Sequence, residues 1–553
     1  MLKQPKLLSL FFFTLLVVLS SCLSTPEEAP LDSAPEVGQP TLQATAAPIT
    51  IASNEGETTA VDAPVVTATP SPSPTPTPWR IAVTADVPPE MVAVIERLPA
   101  DRFVLAAGDE VDARLVLNGG EPLATWVYVA VGPFATLSDG VTWASLQNET
   151  VLAAPSTAAA WQTTFANMVV VGEDQLLDEL WGQRPMVAIV PFHHLTAEMK
   201  ALQVDGLTVL TRGLDTAVYP LTVTVGVTGN PELIAELKAL WPLTTNRDEA
   251  KLTRVTMTGV TALVRATAAQ MEYAGVLFPG EEVAPVLQAA DIAHISNEVP
   301  FAANCPFPDA VSESLVFCSR DPYFELLTHV GADVIEVTGN HSNDYGPESM
   351  VRSLDLYEAA EMQYYGGGRD LADARQAALF TDHGNKIAFV GCNPVGPQFA
   401  WATAAQAGAT PCGDFSELEA QIAQLAAEGY VVIATMQYQE IYDYFATASQ
   451  IRDFGRLADA GAAAVSGSQS HHPQAFAFQN GSYIHYGLGN LFFDQMDQLG
   501  TRQMFMDTYV IYDNQLLNVE LWTGLLEYYA RPRLMLPAER ADLLRTVFAA
   551  SGW

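Results

Sequence analysis

Three residues within one short loop have the types and spacing for chemistry: Asn340, His341 and Asp344, in the stretch Val337-Thr338-Gly339-Asn340-His341-Ser342-Asn343-Asp344-Tyr345-Gly346. Asn supplies a neutral oxygen. His supplies an imidazole that donates, accepts or binds a metal, and Asp supplies a carboxylate that can orient that ring. The same residue types also favour a capped turn ahead of a helix, so their place in the chain must decide between the two. Ala332 to Val337 is rich in β-branched residues and reads as a buried strand. Pro347 to Ala360 reads as a helix with proline in its first turn. The loop therefore lies at the carboxyl end of a strand, where open α/β sheets hold their ligands.

From Thr253 onward the pattern repeats. Strands are read at Arg254–Val260, Ile292–Pro300, Ile387–Asn393, Tyr430–Gln437 and from Ala463 into a polar loop at Pro473. Helices are read at Gly280–Ala290, Phe324–Val330, Phe415–Glu428 and Ile451–Ala460. The strand ends carry Asn297/Glu298, Asn340/His341, Cys392/Asn393, Gln437 and Gln469/His471. One polar strand end is ordinary, but several in one α/β region point to a single crevice. Taken as ends of one sheet, Glu298, Asn340, His341, Gln437, Gln469 and His471 are expected to converge.

Four ordered pieces carry a family resemblance. Asn297-Glu298 fits an Asn-Leu-Glu motif without its Leu, and Gly339 to Gly346 fits Asn-Asn-His-x-x-Asp-x-Gly. Gly366-Gly367-Gly368-Arg369-Asp370-Leu371-Ala372-Asp373-Ala374-Arg375 fits a Gly-x-Gly-x-x-x-x-x-Ala-Arg element. Tyr486-Gly487-Leu488-Gly489-Asn490-Leu491-Phe492-Phe493-Asp494-Gln495 fits Tyr-Ser-Leu-Gly-Asn-Phe-x-Phe-Asp-Gln. From about Thr253 to Gln495 the chain resembles the CapA-type proteins linked to bacterial poly-γ-glutamate capsule synthesis, a branch of the calcineurin-like metallophosphatase superfamily. The resemblance implies an α/β/β/α sandwich with metal ligands on loops at strand ends, and Asn297, Asn490 and Asp494 as supporting residues. The departures are specific. The family's Gly-Asp is Gly259-Val260 here, its His after the strand ending Thr435-Met436 is Gln437, and its Gly-x-His-Pro-His keeps only His471. Val binds no metal and Gln binds weakly beside His or carboxylate. Two close dications need several anionic or imidazole ligands, so at most one divalent ion is expected. Within this resemblance His341 and Asp344 form the catalytic pair, while Glu298, Asn340, Gln437, Gln469 and His471 hold a metal or bind ligand.

The rest of the chain sets the context. Lys3 and Lys6 precede the apolar run Leu7–Leu19, and Leu19-Ser20-Ser21-Cys22 resembles a lipobox. Residues 1–22 are read as a lipoprotein signal with Cys22 lipidated. Residues 23–78, rich in Pro, Thr and Ser, are read as a disordered spacer. Residues 79–245 alternate strand and helix signals and resemble, at the level of fold, a periplasmic solute-binding α/β domain. His193 and His194 follow the strand Met186–Val190 and are read as a strand-end loop with one ring packed. Residues 250–553 form the CapA-like region. Of five cysteines, Cys22 is assigned to lipid. Cys305 with Cys318 and Cys392 with Cys412 are the natural local disulfides in an exported chain, with crossed pairs and free thiols left open. A net charge of −37 argues against nucleic acid, and 49% hydrophobic residues suffice for large cores.

Two functions fit these readings. One is a surface-tethered protein of capsule or exopolymer handling, with a metallophosphatase-like hydrolase site of reduced metal content. The other is a non-catalytic lipoprotein that binds a polar polymer or a small solute. Both place the chain on the outer face of the cytoplasmic membrane, with other capsule-synthesis proteins as partners. Replacing Cys22 by Ser is expected to release the protein from membranes, and retention of the Cys22→Ser protein after high-salt washing would show that the anchor lies elsewhere.

Overall fold

The computed structural model describes residues 77–553, so the signal, Cys22 and nearly all of the spacer lie outside the described residues. The described chain is mixed α/β and built on three larger sheets.

The first sheet has nine strands. Trp79–Val83 runs parallel to Phe103–Leu105 and Ala113–Leu117, and Val151–Ala153 runs parallel to Met168–Val170 and Val187–Pro191. The two parallel groups are joined by Thr222–Gly229 and by the 13-residue strand Glu121–Pro133, both antiparallel to their neighbours.

The second sheet is ordered Gln363–Tyr365, Val334–Glu336, Ile292–Asn297, Leu252–Thr258, Gln503–Tyr512, Gln515–Glu527, Arg531–Leu534. The short strand Val260–Thr261 pairs both with Ile292–Asn297 and with Asn490–Phe492. The third sheet has six strands, Ala378–Asp382, Asn385–Cys392, Val431–Gln437, Ala464–Ser468, Ser482–His485 and Phe476–Gln479.

Side-chain alternation shows how the second and third sheets are layered. Successive strand residues point to opposite faces. Val255, Ile292 and Val334 pack against Ile387, Phe389, Val431 and Ile433 in one core between the sheets. The intervening Ala293, Ile295 and Ile335 pack outward on helices that include Phe324–His329 and Pro347–Ala359. Ala388, Val390, Val432 and Ala434 pack outward on Ser416–Ala427 and Ala448–Asp459. The order is helices, sheet, sheet, helices. Strands buried on both faces read as unbroken apolar runs, as Val431-Val432-Ile433-Ala434 does.

Two expectations change. The convergent strand ends belong to two facing sheets, not one: Glu298 and Asn340 follow strands of the second, Gln437 and Gln469 strands of the third. An apolar strand run carries no label for the sheet it joins. The helix read over Gly280–Ala290 is shorter, Ala284–Gln288, after a 3-10 turn Phe278–Gly280. Pro285 fits only a first turn and so sets the start.

The two local disulfides form, Cys305–Cys318 and Cys392–Cys412, with Cα atoms 5.7 and 5.1 Å apart. Residues 77–553 lie in one compact unit. Leu252, Val510, Tyr512 and Leu517 enter the core of the first sheet, while Phe134 and Ala197 of the first region enter the core between the other two. Among the described residues no helix is long and apolar enough to cross a membrane.

Phe134 is 1% exposed and lies edge-on to Phe476, Tyr483 and Trp553. Phe134→Ala is expected to cost about 3–5 kcal/mol, and chemical denaturation would show it as a lower midpoint at constant slope.

Candidate functional site

Backbone contact brings the cleft loops together before any side chain does. A Cβ on Gly339 would stand 2.4 Å from the carbonyl oxygen of Glu298, so only glycine lets the two strand ends touch. A Cβ on Gly259 would likewise meet the Gly489 carbonyl at 2.0 Å. Gly259 precedes Val260, which pairs with Ser296 on one side and Asn490 on the other.

His341 occupies one wall. Its Nδ1 lies 2.7 Å from Asp344 Oδ2, which also accepts the Phe317 N–H at 2.8 Å. Its Nε2 faces Glu298 Oε1 at 3.6 Å. Burial alone would lower the pKa of this ring. The Asp344 hydrogen bond and the charges of Glu298, Asp344 and Glu440 outweigh burial and hold it above the ordinary imidazole value. Glu298 is 4% exposed.

The floor is a triangle of amides. Gln437 Nε2 donates to Asn340 Oδ1 at 3.2 Å, and Gln437 Oε1 accepts from Ser468 Oγ at 2.7 Å. Gln437 also touches Gln469 through the same NH2. The Gln469 group that meets Gln437 lies 3.3 Å from both Glu298 oxygens, and its other group lies 3.3 Å from Asn340 Nδ2. Each of the three amide contacts needs one oxygen and one NH2. Turning Asn340 or Gln469 repairs one contact and breaks another, and turning Gln437 breaks two, so no set of orientations satisfies all three. Glu298 adds a fourth demand, because it calls for the NH2 of Gln469. An added donor or cation would relieve the mismatch.

The opposite wall carries His471. Its Nδ1 meets Asn490 Oδ1 at 2.8 Å, while Asn490 Nδ2 donates to the Thr501 carbonyl at 3.0 Å and so fixes its own orientation. His471 therefore holds its proton on Nδ1 and keeps Nε2 as an acceptor. Gln469 and His471 both adopt left-handed backbone, φ 76° and 51°, a strained conformation that recurs at functional sites.

The structure thus places Glu298, Asn340, His341, Gln437 and Gln469 in one contiguous network, with Asp344 behind His341 and with His471 held by Asn490. The other two supporting residues stand apart from the amides. Asn297 donates to the Val299 carbonyl and the Tyr357 hydroxyl. Asp494 accepts from Arg265 Nε and Nη2 at 3.2 and 2.5 Å. Arg265 is a residue the sequence did not disclose. Its guanidinium lies over both Phe317 and Phe493, 5.1 and 5.0 Å from the ring centres. Those rings pack on His341 and His471 at 4.6 and 5.1 Å. No local signal ties Arg265 to Asp494, 229 residues away. Tyr442, stacked on His471 at 6.4 Å, and Glu440 were also missed.

Residues 254–495 match the family model described as "Bacterial capsule synthesis protein PGA_cap". Over these residues the chain is similar to the CapA-type capsule synthesis proteins. A "Probable polyglutamine synthesis accessory protein" of Mycobacterium tuberculosis is 25% identical over 240 residues, covering 41% of this chain and 62% of the relative. The "Capsule biosynthesis protein CapA" of Bacillus anthracis is 23% identical over 255 residues, covering 45% and 62%. The chain thus spans less than two thirds of the length of either relative. Among solved structures, the Haemophilus influenzae NAD nucleotidase aligns over 54% of this chain and 56% of its own, at 10% identity and a TM-score of 0.30.

The CapA-type cleft is a poor two-metal site. Its sole carboxylate within reach of the amides is Glu298, and among the described residues the cleft does not bring three His, Cys, Asp or Glu donor atoms together. Glu298, Asn340 Oδ1 and a Gln oxygen suit one hard dication. Removing the Asp344 carboxylate tests the electrostatics. Asp344→Asn is expected to lower the His341 pKa, read by NMR titration. Because the folded pKa of His341 is raised, its pairing stabilises the fold fully below the ordinary imidazole value. That contribution fades as pH rises through the raised one.

Proposed function

We propose that the chain acts in the synthesis or handling of a poly-γ-glutamate-type capsule polymer at the cell surface, with the CapA-type cleft as the place where polymer binds. The names of its relatives support the capsule context. The mismatched amide triangle beside Glu298 carries the ligand reading. A polymer of amide units offers N–H and C=O groups that such a surface can pair with, and three neutral amides tolerate a charged chain better than a ring of carboxylates would.

The four-layer body is read as metallophosphatase-like, and the region before it as a solute-binding-like α/β unit. Helices on both outer faces and polar loops at strand ends support the first reading. Catalysis, where it occurs, falls to His341. Asp344 holds Nδ1 and presents Nε2 toward Glu298, and the raised pKa favours a ring that holds a proton it can pass to a leaving group. Glu298, Asn340 and Gln469 would hold one dication, which would supply charge stabilisation to a bound oxygen. The chain is proposed to be exported and tethered through Cys22.

Binding of poly-γ-glutamate oligomers to the purified protein, measured by calorimetry, is expected to weaken about tenfold in Gln437→Ala, the order expected for losing a buried polar contact. Generic phosphodiester hydrolysis should be weak or absent. Val260→Asp with Gln437→His and Gln469→His should strengthen divalent-metal binding. Tight binding of two dications and fast phosphodiester hydrolysis by the wild type would overturn this assignment.

A further inference from the structure

A second cluster of ligand-type side chains lies in the first region, away from the CapA-type cleft. Glu90 opens the helix Glu90–Arg97, His193 and His194 form the 3-10 turn after Val187–Pro191, and Glu173 begins the turn after Met168–Val170. The cluster thus draws on both parallel groups of the first sheet. Glu90 Oε1 is 3.0 Å from His193 Nε2 and 4.0 Å from His194 Nε2. The donor atoms of Glu90, His193 and His194 all lie within 4.8 Å of one another. Ligands about 2 Å from a tetrahedral metal stand about 3.3 Å apart, between the two distances seen.

Two further observations point to a cation. Glu90 Oε2 is buried and has no hydrogen-bond partner among the described residues. Glu173 Oε1 meets His194 Nδ1 at 3.0 Å. A carboxylate on Nδ1 fixes the proton there and leaves the Nε2 lone pair facing Glu90, the orienting contact that metal-binding histidines commonly have.

We propose that Glu90, His194 and His193 bind a divalent transition-metal ion of the zinc class, with Glu173 as the positioning residue for His194. His193 is the weakest of the three donors. Asn246 is clamped on Val127, accepting its N–H at 2.8 Å and donating to its C=O at 2.9 Å. The remaining Asn246 N–H faces His193 Nδ1 at 3.2 Å, so His193 carries its proton on Nε2 and donates it to Glu90. Ligation by Nε2 requires that proton to shift to Nδ1, where it would meet the Asn246 N–H, so His193 binds only if Asn246 turns away. The bound ion would join the two parallel groups of strands.

The test uses the full chain carrying Glu298→Gln and His341→Ala, so that metal in the CapA-type cleft does not contribute. Zinc chloride is titrated by calorimetry, and cobalt(II) absorption is read on the same protein. One tightly bound equivalent is expected, with the intense visible bands of four-coordinate cobalt. Adding Glu90→Gln or His194→Ala should abolish both signals, while Glu173→Gln should weaken zinc about 10–100-fold, the usual effect of losing an orienting partner. Near-UV circular dichroism confirms that each variant is folded. Zinc affinity unchanged by Glu90→Gln or His194→Ala in folded protein would overturn the site. So would the lack of any bound equivalent in the cleft-disabled background, which would leave the cluster a hydrogen-bonded clasp between the strand groups.

Discussion

The second and third sheets bury both of their faces, and that constraint governs where polar chemistry can stand. Helices cover the outer faces and the opposite sheet covers the inner ones, so a polar side chain in mid-strand must be matched on the spot. The ionisable groups found there are paired in part, although His485 Nε2, Asp507 Oδ1 and the Tyr509 hydroxyl are buried without a hydrogen-bond partner among the described residues. His485 Nδ1 meets Asp507 Oδ2 at 2.7 Å with both side chains fully buried, and Tyr483 donates to the same oxygen. His294 Nε2 meets the Tyr365 hydroxyl at 2.9 Å, with Glu336 at 3.5 Å. At the strand ends a further mismatched group, Glu298, Asn340, Gln437 and Gln469, collects in one network.

The departures from the family pattern acquire a common meaning in that setting. In the resemblance read from the sequence, Val260, Gln437 and Gln469 stand where the family motifs carry a charged or strongly ligating group. Glu298 is the carboxylate that lies beside the three amides. A chain of net charge −37 repels polyanions at long range, so recognition of an acidic polymer would rest on short-range amide pairing and on the few cations near the cleft. Arg265 is one of these, though Asp494 offsets its charge.

Features encoded locally were legible in the sequence. The loop from Gly339 to Gly346, the helix after it, the two disulfides and the polar ends of the strands all follow from neighbours along the chain. What escaped depends on distant partners. The long hairpin Gln503–Tyr512 and Gln515–Glu527 went unread, and its first strand, Met504-Phe505-Met506-Asp507-Thr508-Tyr509-Val510, is interrupted by a charge that only His485 and Tyr483 explain. Assignment of strands to two sheets failed for the same reason, since pairing is decided between segments and not within them. The sequence reads His193 and His194 as a strand-end loop with one ring packed. Both are half-buried, and their significance rests on Glu90, which is 103 residues from His193.

The strand order also dictates a sequence of assembly. Leu252–Thr258 is flanked on one side by Ile292–Asn297, its near neighbour in the chain, and on the other by Gln503–Tyr512. Until some 250 further residues have emerged, one edge of this apolar strand has no native partner. An unpaired edge of that kind recruits other strands. A chain delivered amino end first across a membrane would thus carry a sticky edge for most of its passage. Covering that edge until Gln503–Tyr512 arrives would favour the native pairing.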